Sequence, residues 1–149
     1  MLNKLFQTDG DIAAFIARIA LGIVILPHGL QKLLGMFGGY GFSGTLNFFV
    51  SQGIPAAIAF LIIIAESFGS IGLILGFLSR LAAFGISLIM LGAIFLVHLP
   101  NGFFINWVGN QKGEGYEYHI LALGLALVVL IKGGGKWSVD GTLVKDNWK

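Results

Sequence analysis

Four long apolar runs, each interrupted by a few polar residues, organise the chain: Ile12 to Leu34, Ile54 to Leu78, Leu81 to Leu99 and, roughly, Glu117 to Ile131. A bilayer core about 30 Å thick takes about 20 mainly apolar helical residues to cross, so each run is read as a span, the last being the shortest. The pattern predicts an all-α integral membrane protein, a four-helix bundle running up-down-up-down. The turn around Ser79 and Arg80 is so brief that the second and third spans become antiparallel neighbours. Pro27 lies in the last turns of the first span, where it removes a backbone hydrogen bond and bends the helix ahead of His28.

The polar interruptions show which faces turn inward. At 100° per residue, Arg18, Gly22, Ile25 and Gly29 share one stripe of the first helix. On the second, Gly69, Gly72 and Gly76 form a small-residue stripe that permits close backbone approach in lipid. Glu66 lies beside it and is the only charge between Ile54 and Leu78. An unpaired charge at mid-membrane costs about 2.5–3.5 kcal/mol even on the lenient insertion scale, so Arg18 and Glu66 are expected to meet as a buried ion pair. Counted from the cytoplasmic ends at about 1.5 Å per residue, Arg18 lies roughly 10 Å deep and Glu66 roughly 15–18 Å, a gap that a long Arg side chain covers.

Composition sharpens the picture. The 149 residues are 56 per cent apolar and 11 per cent charged, against about 45–50 and about 25 per cent in soluble domains. Lipid therefore solvates the excess apolar surface, and the length suits one domain, residues 1–149. The chain has no cysteine, which excludes disulfides, CxxC redox pairs, thiolate zinc sites and iron–sulfur clusters. Its net charge of +2 is scattered, so no basic stripe offers itself to nucleic acid. Asp9, Asp11 and Arg18 spoil a signal-peptide reading of the N-terminus, and the first span is expected to be retained. Lys4, Arg80, Lys132, Lys136, Lys145 and Lys149 gather at one face, with only Lys32 and Lys112 at the other. The positive-inside rule then puts both termini in the cytoplasm.

Three histidines map to the outer helix ends: His28 on span one, His98 on span three and His119 on span four. Gln31, Lys32, Glu114 and Glu117 fall at the same level, so polar chemistry concentrates at the outer mouth. Imidazoles from several helices suit a metal, a haem or a quinone carbonyl, although no HxxH or HxxxH pair fixes a metal geometry. Glu117 and His119, two residues apart, cannot both face inward on a helix. The ligand candidates are thus His28, Gln31, Lys32, His98, Glu117 and His119, with no metal set assigned. The outer connections carry Phe37, Tyr40 and Phe42 among glycines, and Phe103, Phe104 and Trp107, which fit an interfacial belt. After the fourth span, three glycines end the helix and Lys136 with Trp137 suits an interfacial anchor.

Arg18-x3-Gly22 followed by Pro27-His28-Gly29-Leu30-Gln31-Lys32 resembles the RxxxG…HGxxK signature of the DoxX family of small bacterial membrane proteins. Glu66-x2-Gly69-x2-Gly72-Leu73-x2-Gly76 with Ser79-Arg80 is similar to the family's second helix and turn, and the closing GGGKWSVD to its GPGxxSLD tail, with Gly134 in place of a frequent proline. The likeness runs from about Ile12 to Asp140. It implies a four-helix protein of the inner membrane, and some relatives are named as subunits of quinone-linked oxidoreductases.

The leading expectation is a multi-pass inner-membrane subunit that binds a lipophilic small molecule, foremost a quinone, and docks a redox partner protein. With no cysteine and no flavin or nicotinamide fingerprint, electron transfer must rest on a bound cofactor or on that partner. Two other classes stand beside it. One is a small-solute or ion transporter with Arg18 and Glu66 as coupling pair, which requires a homo-oligomer. The other is a membrane scaffold without a ligand.

Overall fold

A computed structural model describes residues 5–145. Lys4 and Lys149, two of the residues counted for orientation, lie outside the described residues, as does the side chain of Lys145. Among the described residues the chain is all-helical, with no strand.

Helix α1 is Ile12–Leu34, unbroken through Pro27. It starts where the Asp11 carboxylate accepts the Ala13 N–H at 2.7 Å, occupying one of the donors that a helix N-terminus leaves free. It stops at Gly35, whose φ of 73° is the left-handed cap that glycine adopts without strain. A short helix α2, Gly41–Ser51, packs back on α1 and on the next long helix. Helix α3, Ala56–Leu75, begins after Pro55 and ends at Gly76, again left-handed. Its middle, Ala65–Gly69, is a π-helical turn. Helix α4, Ser79–Asn101, carries a second π turn at Ile94–His98. Helix α5 is Glu117–Lys132, and a seven-residue helix α6, Val139–Lys145, closes the chain.

These bounds correct two sequence expectations. The second span ends three residues early because Gly76 and Leu78 take positive φ and make the turn. Ser79 and Arg80 therefore form the first turn of α4 instead of the connection.

Three helices, α1, α3 and α4, are long and apolar enough to cross a membrane. Helix α5, with 16 residues, rises about 24 Å and falls short of a straight crossing of a 30 Å core. Burial is inverted relative to a soluble domain. Ile16, Ile23, Leu61, Leu96 and Leu121 are each more than half exposed, while Arg18, Glu66, Ser67 and Ser70 are buried. Such a surface is stable only against hydrocarbon. The core joins Leu21 and Ile25 of α1, Leu73 of α3, Ile86 and Met90 of α4, and Ala126 and Val129 of α5.

Helix α1 touches both α3 and α5, and α4 touches both α5 and the π turn of α3. Gly22 and Gly29 make the α1–α3 approach possible. A Cβ at Gly29 would stand 2.6 Å from the Glu66 carbonyl oxygen, and one at Gly22 would stand 2.8 Å from Ile74. The glycine stripe of α3 is not the surface that meets the α1 backbone. Gly69 faces Ala82 of α4, and Gly76 lies under Ser138 and the Arg18 guanidinium. The contact on α3 runs through Ser67, Ser70 and Ile74, and the Ser67 hydroxyl donates to the Gly29 carbonyl at 3.0 Å.

Candidate functional site

Arg18 and Glu66 are both buried, at 1 and 4 per cent exposure, but they do not pair. Every N–H of the Arg18 guanidinium goes to a backbone carbonyl. Nε donates to Gly134 at 2.6 Å, Nη1 to Leu73 and Ile74 at 2.8 and 2.6 Å, and Nη2 to Lys136 and Trp137 at 3.3 and 3.0 Å. A guanidinium has five donors and no acceptor, so the side chain is saturated. Leu73 and Ile74 are last-turn carbonyls of α3, at the negative end of the helix dipole; Leu73 also accepts the Gly76 N–H at 3.2 Å.

The expected ion pair fails on level. Arg18 stands beside the end of α3, and Glu66 lies eight residues further along that helix, about 12 Å away along its axis. Depth counted from the ends of the apolar runs misled, because α3 stops level with Arg18 and the tail folds into the space beyond it. The Asp140 carboxylate completes this end by accepting the Leu78 and Ser79 N–H groups at 2.7 and 2.9 Å, which caps α4. Gly133, Gly135 and Trp137 all take positive φ to turn the tail through that space. The sequence reading of the tail as an anchor missed this role.

Glu66 pairs instead with Lys32, Nζ to Oε2 at 2.5 Å. The close approach of Gly29 to the Glu66 backbone brings this about, since Lys32 follows Gly29 by three residues. The π turn holds both Glu66 and Ser67 on the buried side. π turns inside α-helices occur frequently at functional positions.

The histidines gather around this pair. The rings of His98 and His119 are 4.1 Å apart at 42°. Tyr118 stands between His119, at 5.2 Å, and His28, at 6.4 Å. His119 is 93 per cent buried, and its Nδ1 has no protein partner; the buried Tyr118 hydroxyl has none either. His98 Nδ1 lies 2.8 Å from the Glu114 carbonyl. A carbonyl only accepts, so Nδ1 carries the proton and Nε2 is left with its lone pair when the ring is neutral. His28 is exposed, which leaves the cluster reachable from the flank of the helices.

The remaining candidates serve the loops. Gln31 Nε2 donates to the Phe37 carbonyl at 3.3 Å. Glu117 Oε1 accepts the Ile105 N–H at 2.8 Å, and Glu114 Oε2 accepts that of Asn106 at 2.7 Å. The structure thus brings together His28, Lys32, His98 and His119, adds Glu66, and leaves Gln31, Glu117 and Arg18 outside. Tyr118 belongs to the cluster and was missed. Its neighbour His119 was the signal, but a tyrosine at a helix start reads equally well as an interfacial residue.

Among the described residues, no three or more metal-ligating side chains of the His, Cys, Asp or Glu type converge. The His98–His119 pair does not suit opposite faces of a haem iron. With metal–nitrogen bonds of about 2 Å, ring centres on opposite sides of a metal stand about 6 Å apart. The donors fit a neutral carbonyl or hydroxyl better than an anion, because the one cation is neutralised by Glu66. The groove lined by Gln7, Thr8, Asp9, Arg80 and Ile131 lies at the opposite end, and Arg80 is spent there on the carbonyls of Gln7, Leu130 and Ile131.

Comparison with known proteins places this geometry. The model of the DoxX family matches residues 13–99, hence the first three long helices and both π turns. A Bacillus subtilis (strain 168) protein named "Putative oxidoreductase CatD" is 32% identical over 128 residues, covering 86% of this chain and 83% of that protein. "Inner membrane protein YqjF" of Escherichia coli (strain K12) is 26% identical over 135 residues, covering 91% and 95%. A membrane protein of Mycobacterium tuberculosis (strain ATCC 25618 / H37Rv) is 30% identical over 152 residues, covering 95% and 88%. No solved structure matches the chain.

Proposed function

The chain belongs to the DoxX family of membrane proteins, and from that premise we propose that it is an inner-membrane subunit of a quinone-linked redox system, binding the quinone head at the Lys32–Glu66–Tyr118–His119 cluster. One observation carries the reading. Two buried polar atoms, the Tyr118 hydroxyl and His119 Nδ1, lack a protein partner beside a charge pair that is already neutral. Leaving such groups unpaired costs about 1–3 kcal/mol each, a penalty that a ligand oxygen relieves. A bound quinone supplies two-electron, two-proton chemistry. The chain's own part is to hold the head by hydrogen bonds and keep it near the exposed His28, where a lipophilic ligand arrives from the bilayer. Electrons pass to a partner protein. The names of two relatives support the direction, "Putative oxidoreductase CatD" and "Inner membrane protein YqjF".

The arrangement behind this reading is a four-helix bundle in which α5 crosses with α1, α3 and α4. The termini lie on the cytoplasmic side and the 101–115 connection on the other. The mutual contacts of α1, α3, α4 and α5 support it, as does the lysine and arginine count.

The test is equilibrium binding of a short-chain quinone to detergent-purified protein, followed by its change in absorbance. Tyr118→Phe combined with His119→Gln is expected to weaken binding at least tenfold, which corresponds to about 1.4 kcal/mol. Val108→Ala, in the exposed loop, should leave it unchanged. Absence of binding, or binding indifferent to the double substitution, sinks the reading.

A further inference from the structure

Proton traffic at the buried carboxylate is a separate matter, because the two ends of the helix group are built differently. Past Arg18 both charged groups are consumed: five carbonyls hold the guanidinium, and the Asp140 carboxylate caps α4, which leaves the buried Ser79 hydroxyl as the unpartnered polar atom there among the described residues. Between that end and Glu66 lies the apolar packing of Leu21, Ile25, Leu73, Ile86 and Val129, and the buried Ser67 and Ser70 hydroxyls next to Glu66 are spent on the Gly29 and Ser67 carbonyls. Toward the other end, titratable side chains from four helices follow one another. Lys32 of α1 holds Glu66 of α3; Tyr118 of α5 lies near enough to Glu66 to feel its charge, with His119 beside it; His98 of α4 meets His119 and ends on the Glu114 carbonyl of the outer loop. Glu66 is 4 per cent exposed and His119 7 per cent, and the file ends on a half-buried His98. His28 flanks the file at Tyr118, while Glu114 and Glu117 are bound to loop N–H groups.

We propose that His98, His119 and Tyr118 form a one-sided proton relay between the Glu66–Lys32 pair and the membrane face that carries the 101–115 connection, the Arg18 end being closed. A proton reaching the free Nε2 of His98 makes that ring a cation. The ring returns to neutrality by giving a proton to His119, which passes one to the Tyr118 hydroxyl as that hydroxyl releases its own toward Glu66. The carboxylate becomes a carboxyl and the Lys32 ammonium loses its counter-charge. No electron moves, and every intermediate group ends with its starting charge, the His119 ring as the opposite tautomer until it exchanges its proton or turns over. The two unpartnered atoms, Tyr118 Oη and His119 Nδ1, are the links of the file. The Tyr118 hydroxyl both gives and accepts, the His119 Nδ1 does one or the other according to tautomer, and a water with two or more polar neighbours bridges such gaps.

The experiment uses the full chain in sealed liposomes with one orientation and no added quinone, so its outcome is independent of the proposed ligand. The pH is stepped on one face, and the Glu66 carboxylate is followed as the infrared band lost in Glu66→Gln. The band is expected to respond to a step on the loop face, at least tenfold more slowly in His119→Phe and in Tyr118→Phe, and not to a step on the tail face. Tyr118→Phe keeps the ring and serves alone where His119→Phe does not fold. A band that ignores both faces, follows the tail face, or keeps its rate in Tyr118→Phe overturns the relay. The absence of native cysteine gives a second measurement. With a membrane-impermeant thiol reagent, His98→Cys and His119→Cys should be modified from the loop face only. Modification from the tail face, or from neither, overturns the one-sided access.

Discussion

Lys32 and Glu66 face unequal fates when separated. The lysine side chain is 22 per cent exposed and the glutamate side chain 5 per cent, and a long ammonium stem reaches for the interface where a short carboxylate does not. Lys32→Met therefore strands a buried charge and is expected to cost about 3–5 kcal/mol. Glu66→Gln, neutral and of the same shape, should cost about 1–2 kcal/mol. Unfolding in detergent decides between this order and equal losses, and the double substitution Lys32→Met with Glu66→Leu should recover most of the deficit. Both residues stood out in the sequence as charges in apolar runs, but their pairing did not, because i-to-j partnership across helices depends on relative level. A second ion cluster lies outside the spans. Hydrogen bonding from the Ala13 N–H and pairing with Lys132 hold the Asp11 carboxyl below its usual range, and Asp9 and Asp11 raise Lys132. The Asp11 contribution is complete above the ordinary carboxylate range and is lost as pH falls through its lowered value. That of Lys132 is complete below the ordinary lysine range and lost as pH rises through its raised value. In a thermal-melt series against pH, Lys132→Met should flatten both flanks slightly, since these groups are exposed.

At the scale of elements, the α1–α3 contact is set by absent side chains. Gly29→Ala would place a Cβ against backbone, 2.6 Å from both the Glu66 oxygen and the Ser67 Cα, which no rotamer change relieves. Separating the helices should cost at least about 1–3 kcal/mol and loosen the Lys32–Glu66 pair with them. Gly124→Ala on α5 meets nothing within 4 Å and should be neutral or stabilising by up to about 1 kcal/mol, the ordinary helix preference for alanine. Comparable losses at both positions would contradict this account of the contact. The small-residue stripe of α1 was legible from its three- and four-residue spacing. The stripe read on α3 does not carry the backbone contact with α1, because Gly69 faces α4 and Gly76 is spent on ending the helix. The π turns at Glu66 and His98 left no mark in the periodicity, since one wide turn shifts the apolar phase too little to be seen over a run of mostly apolar residues.

For the whole molecule, the tail is part of the fold and not an appendage. Three of the five Arg18 hydrogen bonds go to Gly134, Lys136 and Trp137, and the α4 cap comes from Asp140. Ending the chain after Lys132 should therefore destabilise the membrane helices themselves, with a lowered melting temperature in detergent. Arg18→Lys should reproduce much of that loss, because an ammonium has three donors for five carbonyls and no planar fork. Asp140→Ala should cost about 1 kcal/mol, as lost helix caps do. A truncated chain as stable as the full one would remove the tail from the fold.

The sequence by itself settled that lipid surrounds this chain, that its structure is helical, that the family is DoxX, and that Arg18 and Glu66 are buried. The family follows from its resemblance in motif and the rest from composition, run length and local spacing, all of them properties of contiguous residues. Tertiary structure alone decided that Lys32 and not Arg18 answers Glu66, that the tail's carbonyls answer Arg18, and that Tyr118 joins His98 and His119. Each of these depends on how far one helix is shifted along another, and that shift is fixed by where glycine lets two backbones touch and where a turn stops a helix.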